Sequence, residues 1–151
     1  MNQLPVEDYI RPDHPVQQMI LNTFAQMCGL EPKEIELGVD GCSAPVFGVP
    51  LRAAALSFAR LCDPQGLPQR RADACRKITR AMVSYPEMVA GTGRFDTSLM
   101  KAARGKVISK SGAEGYLLLG VMPGLLDPRN PGIGIAIKIS DGDALDRART
   151  I

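Results

Sequence analysis

Val107-Ile108-Ser109-Lys110-Ser111-Gly112-Ala113-Glu114-Gly115 leads from two β-branched residues through a lysine and a small hydroxyl residue into a glycine. A carboxylate follows four positions after the lysine. Val and Ile suit a pleated, half-buried surface, so the stretch opens as a strand. Gly112 leaves the backbone open to close approach. The spacing predicts three strands here, over 106–110, 115–121 and 133–139, separated by a turn and by a Pro/Gly-rich loop over 123–132. Short connections between consecutive strands favour an antiparallel meander over parallel crossovers.

Upstream the period changes from two to about 3.6. Residues 1–12 are an irregular lead-in, with Pro5 and Pro12 against regular helix. Asp13-His14-Pro15 reads as a helix start, with Asp13 as the capping carboxylate. Val16, Met19, Ile20, Phe24 and Met27 then recur at helical spacing, and Gly29 suits the stop. Ile35, Leu37 and Val39 alternate as a strand, and residues 40–45 form a tight polar loop. After Pro50, an apolar stripe of Leu51, Ala54, Ala55, Phe58, Ala59 and Cys62 predicts a second helix. Residues 63–68 connect it to a third over 70–84, with Ala74, Ile78, Ala81 and Met82 inward. A helical turn over 86–89 precedes the Gly91-Thr92-Gly93 loop, and Asp96 caps a short helix ending before Gly105. Asp141-Gly142-Asp143 starts a last helix toward Ile151. Helices, then a sheet, then a closing helix make an α+β fold, with helices packed on an antiparallel sheet.

Composition excludes several classes. The chain has 151 residues, 45% apolar and 23% charged, with a net charge of +2. That length fits one domain burying roughly two-thirds of its unfolded surface. Charges are interspersed, there is no Trp, and only 5% of residues are aromatic. A basic stripe and stacking platforms for nucleic acid are therefore both missing. No apolar run approaches the roughly 20 residues of a membrane span, and no signal peptide opens the chain. Cys28, Cys42, Cys62 and Cys75 have no CxxC spacing. A reduced cytoplasmic protein with free thiols is the expectation.

Several stretches carry possible chemistry. Lys-Ser-Gly at 110–112 matches the Lys-Ser/Thr-Gly component of serine acyl-transfer sites, and also fits a surface lysine before a turn. Ser98-Leu99-Met100-Lys101 matches Ser-x-x-Lys, which puts nucleophile and amine on one helix face. Seven serines and six lysines make such a match common by chance. Cys42, between Gly41 and Ser43, suits a metal ligand, a nucleophile or a small buried hydrophobe. His14, the single histidine, fits a helix-capping region. Gly132-Ile133-Gly134 leads into a strand rather than a helix, so it is no phosphate loop.

Joint order says more than any single match. Asp13-His14-Pro15-Val16-Gln17, Val39-Asp40-Gly41-Cys42-Ser43-Ala44-Pro45, Ala90-Gly91-Thr92-Gly93-Arg94-Phe95-Asp96-Thr97, Lys110-Ser111-Gly112-Ala113-Glu114-Gly115 and Ile137-Lys138-Ile139-Ser140-Asp141-Gly142-Asp143 follow one another. Together they resemble the rhizobial-type L-asparaginase family, also called asparaginase II, across essentially the whole chain. The resemblance implies a fold like part of a serine β-lactamase/glutaminase-like domain. It also implies hydrolysis of the side-chain amide of L-asparagine to aspartate and ammonia.

By the same resemblance, Lys110 matches the lysine that accepts the proton of an active-site serine. Asp40 and Glu114 match substrate-facing acids, and Cys42 matches a zinc ligand. Family members are longer, and their N-terminal half carries the nucleophilic Ser-x-x-Lys, a second serine and the other zinc ligands. Nothing here matches those, and Ser98 with Lys101 lies beside a different motif. The resemblance thus implies that residues 1–151 are one partial domain, the C-terminal portion of a longer fold. Such a chain is expected to be inactive alone and to bind zinc weakly. Its partners would be the amino-acid substrate and either a complementing half or a second copy. The alternatives are a non-catalytic remnant or a partner-binding module, and, third, a glutaminase or other amidase. Asp40, Cys42, Lys110 and Glu114 are expected to converge on one cleft, with an apolar face left uncovered.

Overall fold

The computed structural model describes residues 4–140 and Gly142. In chain order it contains α1 (Pro15–Cys28), a 3-10 turn (Pro32–Glu34), β1 (Glu36–Val39), β2 (Pro45–Gly48) and α2 (Leu51–Cys62). Then come α3 (Gln69–Ser84), α4 (Pro86–Ala90), α5 (Phe95–Ala102), β3 (Val107–Gly112), β4 (Tyr116–Val121) and β5 (Ile133–Lys138). The architecture is α+β, as the period change predicts. The expected closing helix over 141–151 lies outside the described residues, apart from Gly142.

β3, β4 and β5 form the antiparallel meander in that order. Ile108 pairs with Gly120, Lys110 with Leu118 and Gly112 with Tyr116. β4 in turn pairs with β5 from Tyr116↔Lys138 to Val121↔Ile133. Helix α2 lies across β4 and β5. Glycine is what lets it approach so closely. A Cβ on Gly134 would collide with the backbone carbonyl of Ala55, and one on Gly120 with Cys62 Sγ. Asp63, at the end of α2, accepts the Gly132 N–H through Oδ2 at 3.0 Å, which ties the helix to the start of β5. Gly132-Ile133-Gly134 is therefore a helix-packing surface on a strand.

Two apolar clusters result. Cys62, Met100 and Ile108 form one, with Phe58, Leu61, Met82, Val83, Val89 and Met122 against it. Leu21, Ala25 and Ile35 form the other, with Phe24, Leu30, Phe47 and Val49. The second cluster holds a hairpin that residue alternation misses. β1 pairs with β2 from Glu36↔Gly48 to Val39↔Pro45. The Phe24 and Phe47 rings stack with centroids 5.0 Å apart. A two-stranded hairpin is marginal alone, so this stacking on α1 supports it.

Several expectations about faces and caps are corrected. His14, not Asp13, caps α1, and its Nδ1 accepts the Val16 N–H at 3.2 Å. Asp13 is instead taken by Arg11, which holds its carboxyl below the usual range. The buried stripe of α1 is Gln17, Leu21, Ala25 and Cys28, leaving Met19 and Ile20 exposed. In α3 the inward residues are Ala72, Cys75 and Thr79, while Ile78 stays 49% exposed. Apolar character alone chose the wrong face, because small residues pack closest against neighbouring helices. Asp96 is not a cap either. Arg94 holds the cap position of α5, and the Asp96 carboxylate turns inward toward β3.

Candidate functional site

Lys110 sits near the end of β3 on an exposed position, opposite Leu118. Alternation along the strand puts Ile108, Lys110 and Gly112 on one face and Ser109 and Ser111 on the other. The Lys110 ammonium donates to the Ser111 carbonyl at 2.6 Å. Glu114 follows in the three-residue turn to β4, exposed and at φ 56. A carboxylate-bearing residue in the left-handed region is uncommon and holds a backbone most residues avoid. Lys138, at the end of β5, donates to the Glu114 carbonyl at 2.8 Å and to Ile139 at 2.6 Å. Two amines and one carboxylate thus belong to a single end of the sheet. Lys138 went unassigned from sequence, and its position at the tip comes only from the β4–β5 register.

Asp40 and Cys42 stand together at the tip of the β1–β2 hairpin, both exposed. Asp40 Oδ1 accepts the Gly41 N–H at 2.7 Å, and the Cys42 thiol lies 3.7 Å from Oδ2. The Ser43 N–H closes the turn onto the Asp40 carbonyl at 2.8 Å. Among the described residues no hydrogen bond or ion pair links Asp40 or Cys42 to Lys110 or Glu114. The sequence-marked residues therefore form two pairs on two hairpin tips.

A cluster that sequence reasoning passed over lies beside Lys110. Asp96 is 1% exposed, and its two carboxylate oxygens accept the hydroxyls of Ser109 at 2.5 Å and Ser111 at 2.6 Å. Ser109 is fully buried. A buried carboxylate is costly unless hydrogen-bonded, and these two donors, with the start of α5, supply that compensation. The only trace of the cluster in sequence is the Ser-x-Ser spacing on a strand. Thr97 braces the same helix start by donating to the Pro86 and Gly91 carbonyls.

Chemically, the Lys110 end offers an amine and a carboxylate but no serine hydroxyl bonded to the amine. Ser98 is exposed, and Lys101 is ion-paired with Glu87, so the Ser-x-x-Lys match does not form a nucleophile-base pair. Asp40 and Cys42 give two metal donors at most. No group of three or more His, Cys, Asp or Glu among the described residues could hold a metal ion. Two donors do not by themselves fit a structural zinc, which takes four. Nor is any helix among the described residues long and apolar enough to cross a membrane.

Compared with known proteins, the chain matches the family model described as L-asparaginase II over residues 1–151. No curated protein matches it.

Proposed function

Because the chain belongs to the L-asparaginase II family, we propose that it serves hydrolysis of the side-chain amide of L-asparagine, giving L-aspartate and ammonia. Lys110 takes the proton of a serine hydroxyl as that oxygen attacks the amide carbon. The C–N bond then breaks, the proton passes to the departing nitrogen, and water releases aspartate from the acyl-serine. Glu114 and Asp40 suit the substrate's α-ammonium, and Cys42 suits a metal to which other donors are brought. The observation that supports the reading is that Lys110, near the end of β3, and Glu114, in the turn that follows and bonded through its carbonyl to Lys138, belong to one end of the sheet.

Serine supply is the open half of the reaction. Ser109 and Ser111 are committed to Asp96, and no other serine bonds to Lys110. We infer that the nucleophile comes from a complementing polypeptide segment. The purified chain should then release no ammonia from L-asparagine by itself. Mixed with the Ser-x-x-Lys segment of a longer family member, it should gain activity that Lys110→Ala abolishes. Activity of the mixture that survives Lys110→Ala would remove Lys110 from the mechanism. Ammonia release by the chain alone that disappears with Ser98→Ala would promote Ser98 and Lys101 instead. Parallel assays with L-glutamine decide between asparaginase and glutaminase.

A second reading has its own support. Ile20, Ile78, Tyr85 and Met88 are between 44% and 86% exposed. Such exposed apolar side chains also suit a non-catalytic module that docks on another chain. Failure of every complementation, with tight binding to the segment, would favour it.

A further inference from the structure

The Asp96 carboxylate is buried with both oxygens engaged, and the proposed chemistry leaves it without a task. It lies at the start of α5, 1% exposed, and among the described residues no cation is bonded to it. Its two hydrogen bonds go to Ser109 and Ser111, the residues on either side of Lys110. Lys110 itself bonds to the carbonyl of Ser111. An unbroken run of contacts therefore leads from Asp96, through the Ser111 hydroxyl and carbonyl, to the Lys110 ammonium.

We propose that Asp96 is a positioning residue that fixes Lys110 by gripping β3 through Ser109 and Ser111. Among the described residues β3 is an edge strand, paired on one side by β4. Edge strands hold their register less firmly than central ones. Two serines on one face, both bonded to one buried carboxylate, stop the strand from sliding or rotating. A slip of one residue would turn Ser109 and Ser111 to the opposite face and carry Lys110 with them. α5 thus holds the amine in place without touching it. The inference rests on reading Lys110 as the proton acceptor, which is why the amine's placement matters.

The test reads Lys110 directly and needs no turnover. The 151-residue chain is treated with a limiting amount of acetic anhydride at fixed pH. Acylation of Lys110 is then counted by mass spectrometry against Lys77, an exposed lysine on α3. In Ser111→Ala and Asp96→Asn, Lys110 should acylate faster relative to Lys77, because its tether to the Ser111 carbonyl is loosened. The expected rise is about threefold, in keeping with the modest net worth of the one hydrogen bond that tethers the amine. Circular dichroism confirms that each variant is folded, and a merely structural role would lower melting temperature without moving the Lys110/Lys77 ratio. Ser111 is only half-buried, so Ser111→Ala decides the matter if Asp96→Asn does not fold. A ratio unchanged or lowered in folded Ser111→Ala overturns the proposal. A raised ratio with no asparagine hydrolysis in any mixture would sustain the positioning role while the asparaginase reading fails.

Discussion

Three of the four thiols are closed to chemistry by burial. Cys28, Cys62 and Cys75 are at most 7% exposed, and burial pushes each thiol up from its ordinary range. Cys62 is pushed up to about 12, mainly by burial and then by the neighbouring Asp63 and Cys75. Cys42 alone is exposed. Under native conditions, titration with a thiol reagent should therefore modify one cysteine, and Cys42→Ser should abolish that reaction. The raised Cys62 value also has a sign. The folded state holds that proton more tightly than the unfolded chain, so the contribution is fully present below the ordinary value of 9.0. It fades as pH climbs from there toward 12. At its limit the effect is on the order of 3–4 kcal/mol. Urea unfolding at mildly and strongly alkaline pH should show a steeper loss for the natural chain than for Cys62→Ala. His14 supplies a third test. Its Nδ1 caps α1, so His14→Ala should lower stability by about 1 kcal/mol. His14→Asn should recover much of the loss in thermal melts.

At the scale of elements, glycine at 134 decides how α2 meets the sheet. Gly134→Ala would drive a methyl into the Ala55 carbonyl, where backbone rather than a flexible side chain must yield. Overpacking of this kind costs about 1–3 kcal/mol, and the rigid contact puts Gly134→Ala at the upper end. Denaturant unfolding should show the drop, with α2 losing amide protection first. The sequence carried much of this layout. Strand periodicity and short connectors were enough for the β3–β4–β5 meander, and Pro50 and Gly29 marked helix bounds to within a residue. β2 escaped because Pro45 and Pro50 bracket four residues too few to show alternation. The inward face of α3 escaped because Ala72, Cys75 and Thr79 are small, and hydrophobicity weighed Ile78 above them. Of the site, Lys110 and Glu114 were readable as a strand end and turn. Asp96 was not, since a carboxylate at a helix start reads as a cap unless one knows which strand passes beside it.

For the molecule as a whole, apolar surface outside the two clusters sets its behaviour in solution. Met19 and Thr23 of α1 face Pro68, Arg70, Arg71 and Ala74 across an open groove of about 470 Å³. Ile78, Tyr85 and Met88, on α3 and just beyond it, are exposed as well. Sedimentation velocity should show association growing with concentration, and Ile78→Lys with Met88→Lys should suppress it. A concentration-independent monomer would argue that this surface has no use for a partner. The bond between Asp63 and Gly132 has a separate consequence, one of time. It spans 69 positions, whereas β3 and β4 are joined by a turn of three residues, Ala113 to Gly115. A hairpin of that kind closes in about 1–10 μs. Long closures are slower because chain entropy is lost before any contact repays it. The meander should therefore assemble early and wait for α2, so that Asp63→Ala and Gly134→Ala slow refolding while Glu114→Gly leaves its rate unchanged.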